Sequence, residues 1–199
     1  MNKLRYKANI TAGALFVPES RKIAELMLAK VDSDEWKQAI EDHNILQQRS
    51  LATSIRIANF IRSRLKLMKP ELWELIKDGD SITSTHACFV AAIKHCRLLG
   101  DYLDIVVREQ FKKLENRLTP RIWEAFMLGC KQIDPEMKEF PPSTAKKMRT
   151  NVHRILNQAG YLTGGRKWIL QRVDISPEVL RYLKKNKEKY VLRCIKVTR

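Results

Sequence analysis

Glycine and proline are scarce in this chain, seven of each among 199 residues, which argues against the turn-rich construction of an all-β fold and for helices. Long apolar runs are missing as well. The longest, 87–93, falls far short of the roughly 20 residues that a membrane-spanning helix needs. Lys3, Arg5 and Lys7 precede an apolar stretch at 10–17, but that stretch is short, contains Thr11 and runs into Pro18, a poor signal peptide. A cytosolic protein with no membrane contact is the expectation. Cysteine is limited to Cys88, Cys96, Cys130 and Cys194, scattered among apolar neighbours as free thiols of a reducing compartment are.

Metal chemistry finds no framework. His86, Cys88, His95 and Cys96 look like ligands, yet on one helix Cys88 and His95 would stand about 10.5 Å apart along the axis. A single zinc ion with bonds of about 2.0–2.3 Å does not span that. Nucleotide-binding fingerprints are also absent, since Gly164-Gly165 is too short for a phosphate loop. None of His43, His86, His95 and His153 has a Ser or Cys and a carboxylate nearby in recognisable order. No catalytic residue, no metal and no other cofactor is expected, and the chain reads as a non-enzyme.

Acids, too, are in short supply: 22 Asp and Glu face 38 Lys and Arg, a formal charge of +16. Such an excess implies a polyanionic partner. Residues 142–199 hold 15 cations and 3 acids, a net +12, so the first 141 residues carry only +4. The polyanion contact is therefore weighted toward the C-terminal third.

What fills the chain is apolar residues at helical spacing. Helices are predicted at 18–30, 34–40, 50–68, 70–78, 81–100, 101–117, 121–130, 143–159 and from 177 onward, with Thr119-Pro120 and Ser176-Pro177 as starts. The fold class is all-α, with two elements like a helix-turn-helix. A short β-hairpin at 161–173, turned at Gly164-Gly165, is the one departure, with an irregular loop as its alternative. Pro135, Pro141 and Pro142 mark a boundary, giving an N-terminal helical part at 1–80, a central helical core at 81–141 and a basic C-terminal part at 142–199. The links before the helices at 50–68 and 143–159 exceed the three or four residues of a compact helix-turn-helix.

Two helix faces suit DNA. On 50–68, Leu51, Ile55, Ala58, Ile61, Leu65 and Met68 form an apolar stripe, while Arg49, Ala52, Arg56, Asn59 and Ser63 gather elsewhere and Arg64 and Lys66 add charge. No acid occurs from Arg49 to Lys69. On 143–159, Ala145, Met148, Val152, Ile155, Leu156 and Ala159 point to the core, and Lys146, Lys147, Thr150, His153, Arg154 and Asn157 cover the other side, again without an acid. Cations for phosphates beside amide and hydroxyl groups for base edges are what a major-groove helix requires. Arg166, Lys167 and Arg172 on the hairpin sit where a winged helix-turn-helix places its wing. The same faces also read as ordinary solvated surface. The basic tail from Lys184 onward would add phosphate contacts, and neutralising about six phosphates gives a slope of log K against log salt near −5. Docking on an acidic protein partner is the runner-up function. RNA ranks third, for want of basic-aromatic platforms.

The run Tyr6-Lys7-Ala8-Asn9-Ile10-Thr11-Ala12-Gly13-Ala14-Leu15, followed by Pro18-Glu19-Ser20-Arg21 and then Trp36, resembles the BrxA family of bacteriophage exclusion (BREX) defence systems. The resemblance implies a small, all-helical accessory protein with helix-turn-helix elements. Such a protein binds double-stranded DNA and serves a multi-protein system that methylates host DNA and blocks phage replication, so other BREX components are expected as partners.

Overall fold

The computed structural model describes residues 6–7, 9–10, 13–163, 165 and 168–197. Arg166, Lys167 and Gly164, with Arg199 of the tail, lie outside the described residues. The chain is predominantly helical: α1 (Val17–Ala29), α2 (Ser33–Lys37, continued by a π-helical turn Gln38–Asp42), α3 (Leu51–Leu65), α4 (Pro70–Asp78), α5 (Ser81–His95), α6 (Arg97–Asp101, continued by a π-helical turn Tyr102–Val107), α7 (Arg108–Lys112), α8 (Pro120–Ile133), α9 (Pro142–Gln158), α10 (Pro177–Lys185) and α11 (Lys189–Ile195). Strands β1 (Leu162–Thr163) and β2 (Ile169–Leu170) pair antiparallel, Leu162 opposite Leu170. The hairpin is thus present but minimal. It is steadied from a third side, because Leu118 donates its N–H to the Trp168 carbonyl and Leu170 donates to Asn116.

α5 explains the centre. Over 87–93 it is apolar on every side, and a helix of that kind is stable only when covered all round. Side chains from Thr83 to Ile93 are buried with one exception, half-buried Thr85. α1, α3 and α4 cover it from the N-terminal half, and α10 and α11 return from the far end of the sequence to close it. One connected apolar core extends from Tyr6 to Val197.

Helix α5 stops five residues earlier than its apolar pattern suggests. Cys96 is extended (φ −121°, ψ 98°), and Asn9 donates its amide to the His95 carbonyl at 2.7 Å, occupying an acceptor that a longer helix would use itself. The start of α9 also differs: Pro141 is the cap and Pro142 the first helical residue, with no side-chain cap from Ser143. Links of eight residues, 43–50 and 134–141, lead into α3 and α9. α8 packs on the π-helical turn Tyr102–Val107.

The described residues before α1, 6–7, 9–10 and 13–16, form a strap through the interior. Tyr6, Ile10, Ala14 and Leu15 are buried, and polar contacts from α3, α6, α9 and the end of α8 hold the strap along its length. Tyr6 donates its hydroxyl to Asp101 (2.8 Å) and its N–H to Asp134 (3.2 Å). Asn151 of α9 donates to the Ile10 carbonyl, Arg64 of α3 to the Ala14 carbonyl, and Leu15 donates its N–H to Gln158 of α9. The segment that carries the family resemblance is therefore the piece that sets how α3 and α9 sit relative to one another.

Candidate nucleic-acid interface

α3 and α9 are about ninety residues apart in sequence, yet they meet at one groove of about 500 Å³. Arg56 comes from α3, and Lys146, Lys147, Thr150 and Arg154 come from α9. All five are exposed. Gly13 and Phe16 of the strap and Asn151 of α9 also line it. Among the described residues no carboxylate lines this groove, and Arg56, Lys146, Lys147 and Arg154 form no ion pair. Some cations elsewhere have carboxylate partners: Lys185 stands 3.5 Å from Glu71, Arg181 2.9 Å from Glu178, Arg193 2.9 Å from Asp104, and Lys94 pairs with Glu188. Four unpaired guanidinium and ammonium groups around one concavity raise the local potential, because like charges with low-dielectric walls focus field outward.

The groove depends on a glycine. Gly13 has φ +143°, and a Cβ there would lie 2.5 Å from the Phe16 ring. Phe16 itself adopts a left-handed conformation (φ 55°) as the cap of α1. Thr150 donates its hydroxyl to the Lys146 carbonyl, which leaves its oxygen directed outward as an acceptor.

Other predicted residues fall around this centre in graded fashion. Arg49, in the link just before the α3 cap Ser50, is exposed, as are Asn59 on α3 and Asn157 on α9, but none lines the groove. Ser63 is exposed and already engaged, donating to the Phe60 carbonyl at 2.7 Å and contacting His95 Nε2 at 3.3 Å. Leu51, assigned to the apolar stripe, is 52% exposed. It sits in the first turn, before α3 reaches the core, and Ser54 and Ile57 are buried in its stead.

Two expectations are corrected. His153 does not belong to the basic face: it is buried, with its ring 4.8 Å from that of Trp168 and Nε2 3.3 Å from the Tyr102 hydroxyl. Its neighbour on the helix surface is half-buried Arg149, which the sequence pattern passed over; the two share a cavity of about 370 Å³ with Arg117 and Trp168. Arg64 is likewise no surface cation. It is 3% exposed, stacks its guanidinium 4.1 Å over the Phe60 ring and donates to the Ala14 carbonyl at 2.8 Å.

That position makes Arg64 a positioning residue. Arg64→Ala should cost about 2 kcal/mol, the scale of a charged hydrogen bond lost from the interior, or roughly 4–8 °C in Tm for a chain of this size. A phosphate ligand would behave differently, leaving Tm alone and flattening the salt dependence of DNA binding; calorimetry with a salt titration separates the two.

Two imidazoles, buried His153 and half-buried His95, set an acid limit. Burial lowers the pKa of His153 to about 4, helped by nearby Arg149, and burial with Arg64 lowers His95 to about 4. In the unfolded chain both titrate near 6.5. Between these values the unfolded state holds more protons, so stability is full above about pH 6.5 and falls as pH drops toward 4. Scanning calorimetry from pH 7 to 5 should show Tm falling, and His153→Phe should make that fall shallower.

Similarity to known proteins follows the same chain length. The BrxA family model matches residues 4–187. A BREX protein BrxA of Paramagnetospirillum magneticum is 46% identical over 198 residues, covering all of both chains. A second, from Escherichia coli O9:H4, is 32% identical over 177 residues, 89% of this chain and 83% of its own. A crystal structure of a protein from Magnetospirillum magneticum superposes with a TM-score of 0.90 at 45% identity, covering 97% of this chain and 99% of that one. With fold, length and sequence in agreement, the chain belongs to the BrxA family of BREX phage-defence systems.

Proposed function

We propose that the chain is a non-catalytic, cytoplasmic double-stranded DNA-binding protein of its BREX system, and that the groove between α3 and α9 is where the duplex sits. One observation carries this reading: Arg56, Lys146, Lys147 and Arg154 converge on a single concavity in which, among the described residues, no carboxylate answers them. Unpaired cations meet phosphates and release condensed counterions, which is the main source of affinity in sequence-tolerant binding. Base-edge contacts are left to Thr150 and to Asn59 and Asn157 further out, since hydroxyl and amide groups read the major groove. The elements around α3 and α9 act on this view as elaborated helix-turn-helix units with long links, and the hairpin next to α9 acts as a reduced wing.

A fluorescence-anisotropy titration with a labelled duplex of about 20 base pairs tests it. Binding at about 50 mM salt should weaken with salt at a slope near −4, four phosphates at about 0.9 each. No binding at that salt, or a slope near zero, defeats the reading. Docking on an acidic protein through the same cations would leave duplex DNA unbound and yield a partner retained after nuclease treatment.

A further inference from the structure

Trp168, just before β2, is a bulky residue in a left-handed conformation. Its φ is 47°, a region that large side chains enter only when their surroundings hold them there. Backbone contacts do so: the Leu118 N–H donates to the Trp168 carbonyl at 3.1 Å, and Arg117 bridges to Ile169. The indole is thereby set against His153 of α9, ring centroids 4.8 Å apart.

These residues wall the cavity of about 370 Å³, with Arg149 of α9, Leu118 and Pro120. Pockets for small molecules begin at about 300 Å³. Among the described residues no carboxylate lines it, and neither Arg117 nor Arg149 has an ion-pair partner. His153 is 2% exposed and its Nε2 meets the Tyr102 hydroxyl. Its Nδ1 has no hydrogen-bond partner among the described residues and, unlike Nδ1 of His95, is not a sealed atom of the interior. Buried polar atoms are ordinarily satisfied, so an open one at a cavity wall is available to a ligand.

We propose that this cavity binds a single unstacked nucleotide, its base against Trp168 with an edge toward His153 Nδ1 and its phosphate between Arg117 and Arg149. Unstacked bases are recognised on aromatic faces beside arginine. The sequence hides this platform because its parts come from residues 117, 149, 153 and 168, which only the fold brings together. Other ligands fit less well. A lone phosphate leaves the rings, Leu118 and Pro120 uncovered, a neutral ring leaves two guanidinium groups unanswered, and an acidic side chain has no ring to lay on Trp168. The nucleotide is either free or part of a DNA strand. Arg149 and His153 stand three residues from Lys146 and Thr150 of the groove, near neighbours on a helix, so a strand crossing α9 reaches both. The site does not rest on the duplex reading, since the two concavities share no lining residue.

The test titrates the full-length chain with labelled single-stranded DNA of about ten nucleotides by fluorescence anisotropy, and with deoxythymidine monophosphate and inorganic phosphate by calorimetry. At about 50 mM salt the oligomer should bind. Trp168→Gly, whose backbone is at ease at positive φ, should weaken it roughly tenfold with the salt slope unchanged, the loss of one stacked base. Trp168→Phe should restore most of that. Arg117→Ala with Arg149→Ala should lower both affinity and slope, the slope by about 0.7 for one phosphate on a single strand. Arg117 is exposed, so the arginine pair decides the matter if Trp168→Gly lowers Tm steeply. Monophosphate binding that the same variants weaken identifies a free nucleotide; an effect on the oligomer alone places the nucleotide within a strand. Replacing the four groove cations should abolish duplex binding and leave the Trp168 effect in place, so either site can fail without the other. The proposal is overturned if neither the oligomer nor the monophosphate binds, or if both ignore the Trp168 and arginine changes. It is also overturned if inorganic phosphate binds as tightly as the monophosphate, because the base then plays no part.

Discussion

Replacing Arg56, Lys146, Lys147 and Arg154 together with alanine should lower duplex-DNA affinity by roughly a hundred- to a thousandfold near 100 mM salt, and should flatten the slope of log K against log salt by about 3 to 4 units. Each phosphate contact removed takes about 0.9 from the slope. The four side chains are exposed, and among the described residues they form no ion pair, so their loss breaks no folded-state contact and stability should move by less than about 0.5 kcal/mol per site. Relief of their mutual repulsion works in the stabilising direction. A control set removes similar charge from cations that already have carboxylate partners: Arg181, Lys185 and Arg193. If the control costs as much affinity as the groove set, net charge governs binding and the groove has no special role. If the groove set lowers affinity without changing the slope, those cations act on something other than phosphate.

The periodicity that exposed the α9 face is the same periodicity that misplaced His153. A helix wheel separates apolar from polar residues by angle, and it assigns a histidine to the polar side by residue type. It has no knowledge that Trp168 and Tyr102, brought up from elsewhere in the chain, cover that angle. Arg64 was misjudged for a similar reason: the wheel places it beside Lys66 near the C-terminal end of α3, while the buried carbonyl of Ala14 that claims it comes from fifty residues upstream. Element type was legible because burial on one face imposes a 3.6-residue repeat whatever lies opposite. The joining of α3 and α9 into one groove was not, since nothing local to either helix encodes the other. That information sits in the strap, in Ile10, Ala14 and Leu15, whose backbone groups are held by Asn151, Arg64 and Gln158. The strap was visible in the sequence only as the family-like opening run, with no hint of its mechanical role.

The largest loss of stability should come from a carboxylate outside the groove. Asp101 is 2% exposed and accepts hydroxyl protons from Tyr6 of the strap (2.8 Å) and Tyr190 of α11 (2.9 Å), while Arg97 of its own helix lies 3.0 Å away. The site joins the two ends of the chain through one side chain. At the neighbouring Gly100 a Cβ would come within 2.1 Å of the Tyr190 hydroxyl, so a larger residue there would have to displace Tyr190. Burial, with the Asp101 carboxylate beside it, holds the Tyr190 phenol well above its usual pKa, so it stays a donor throughout the working range. Asp101→Ala leaves the hydroxyls of Tyr6 and Tyr190 without this acceptor and Arg97 without its carboxylate. Losses of this kind reach 3–5 kcal/mol when both charges are deeply buried; with Arg97 partly exposed, about 3 kcal/mol is expected, or roughly 6–12 °C in Tm. Asp101→Asn keeps the shape and one acceptor oxygen, and should recover part of that loss. Because Tyr6 anchors the strap that spaces α3 and α9, Asp101→Ala should also weaken DNA binding, with the salt slope intact. An unchanged Tm for Asp101→Ala would mean that the strap is held by its apolar contacts alone, and the account of how the groove is kept in shape would then fail.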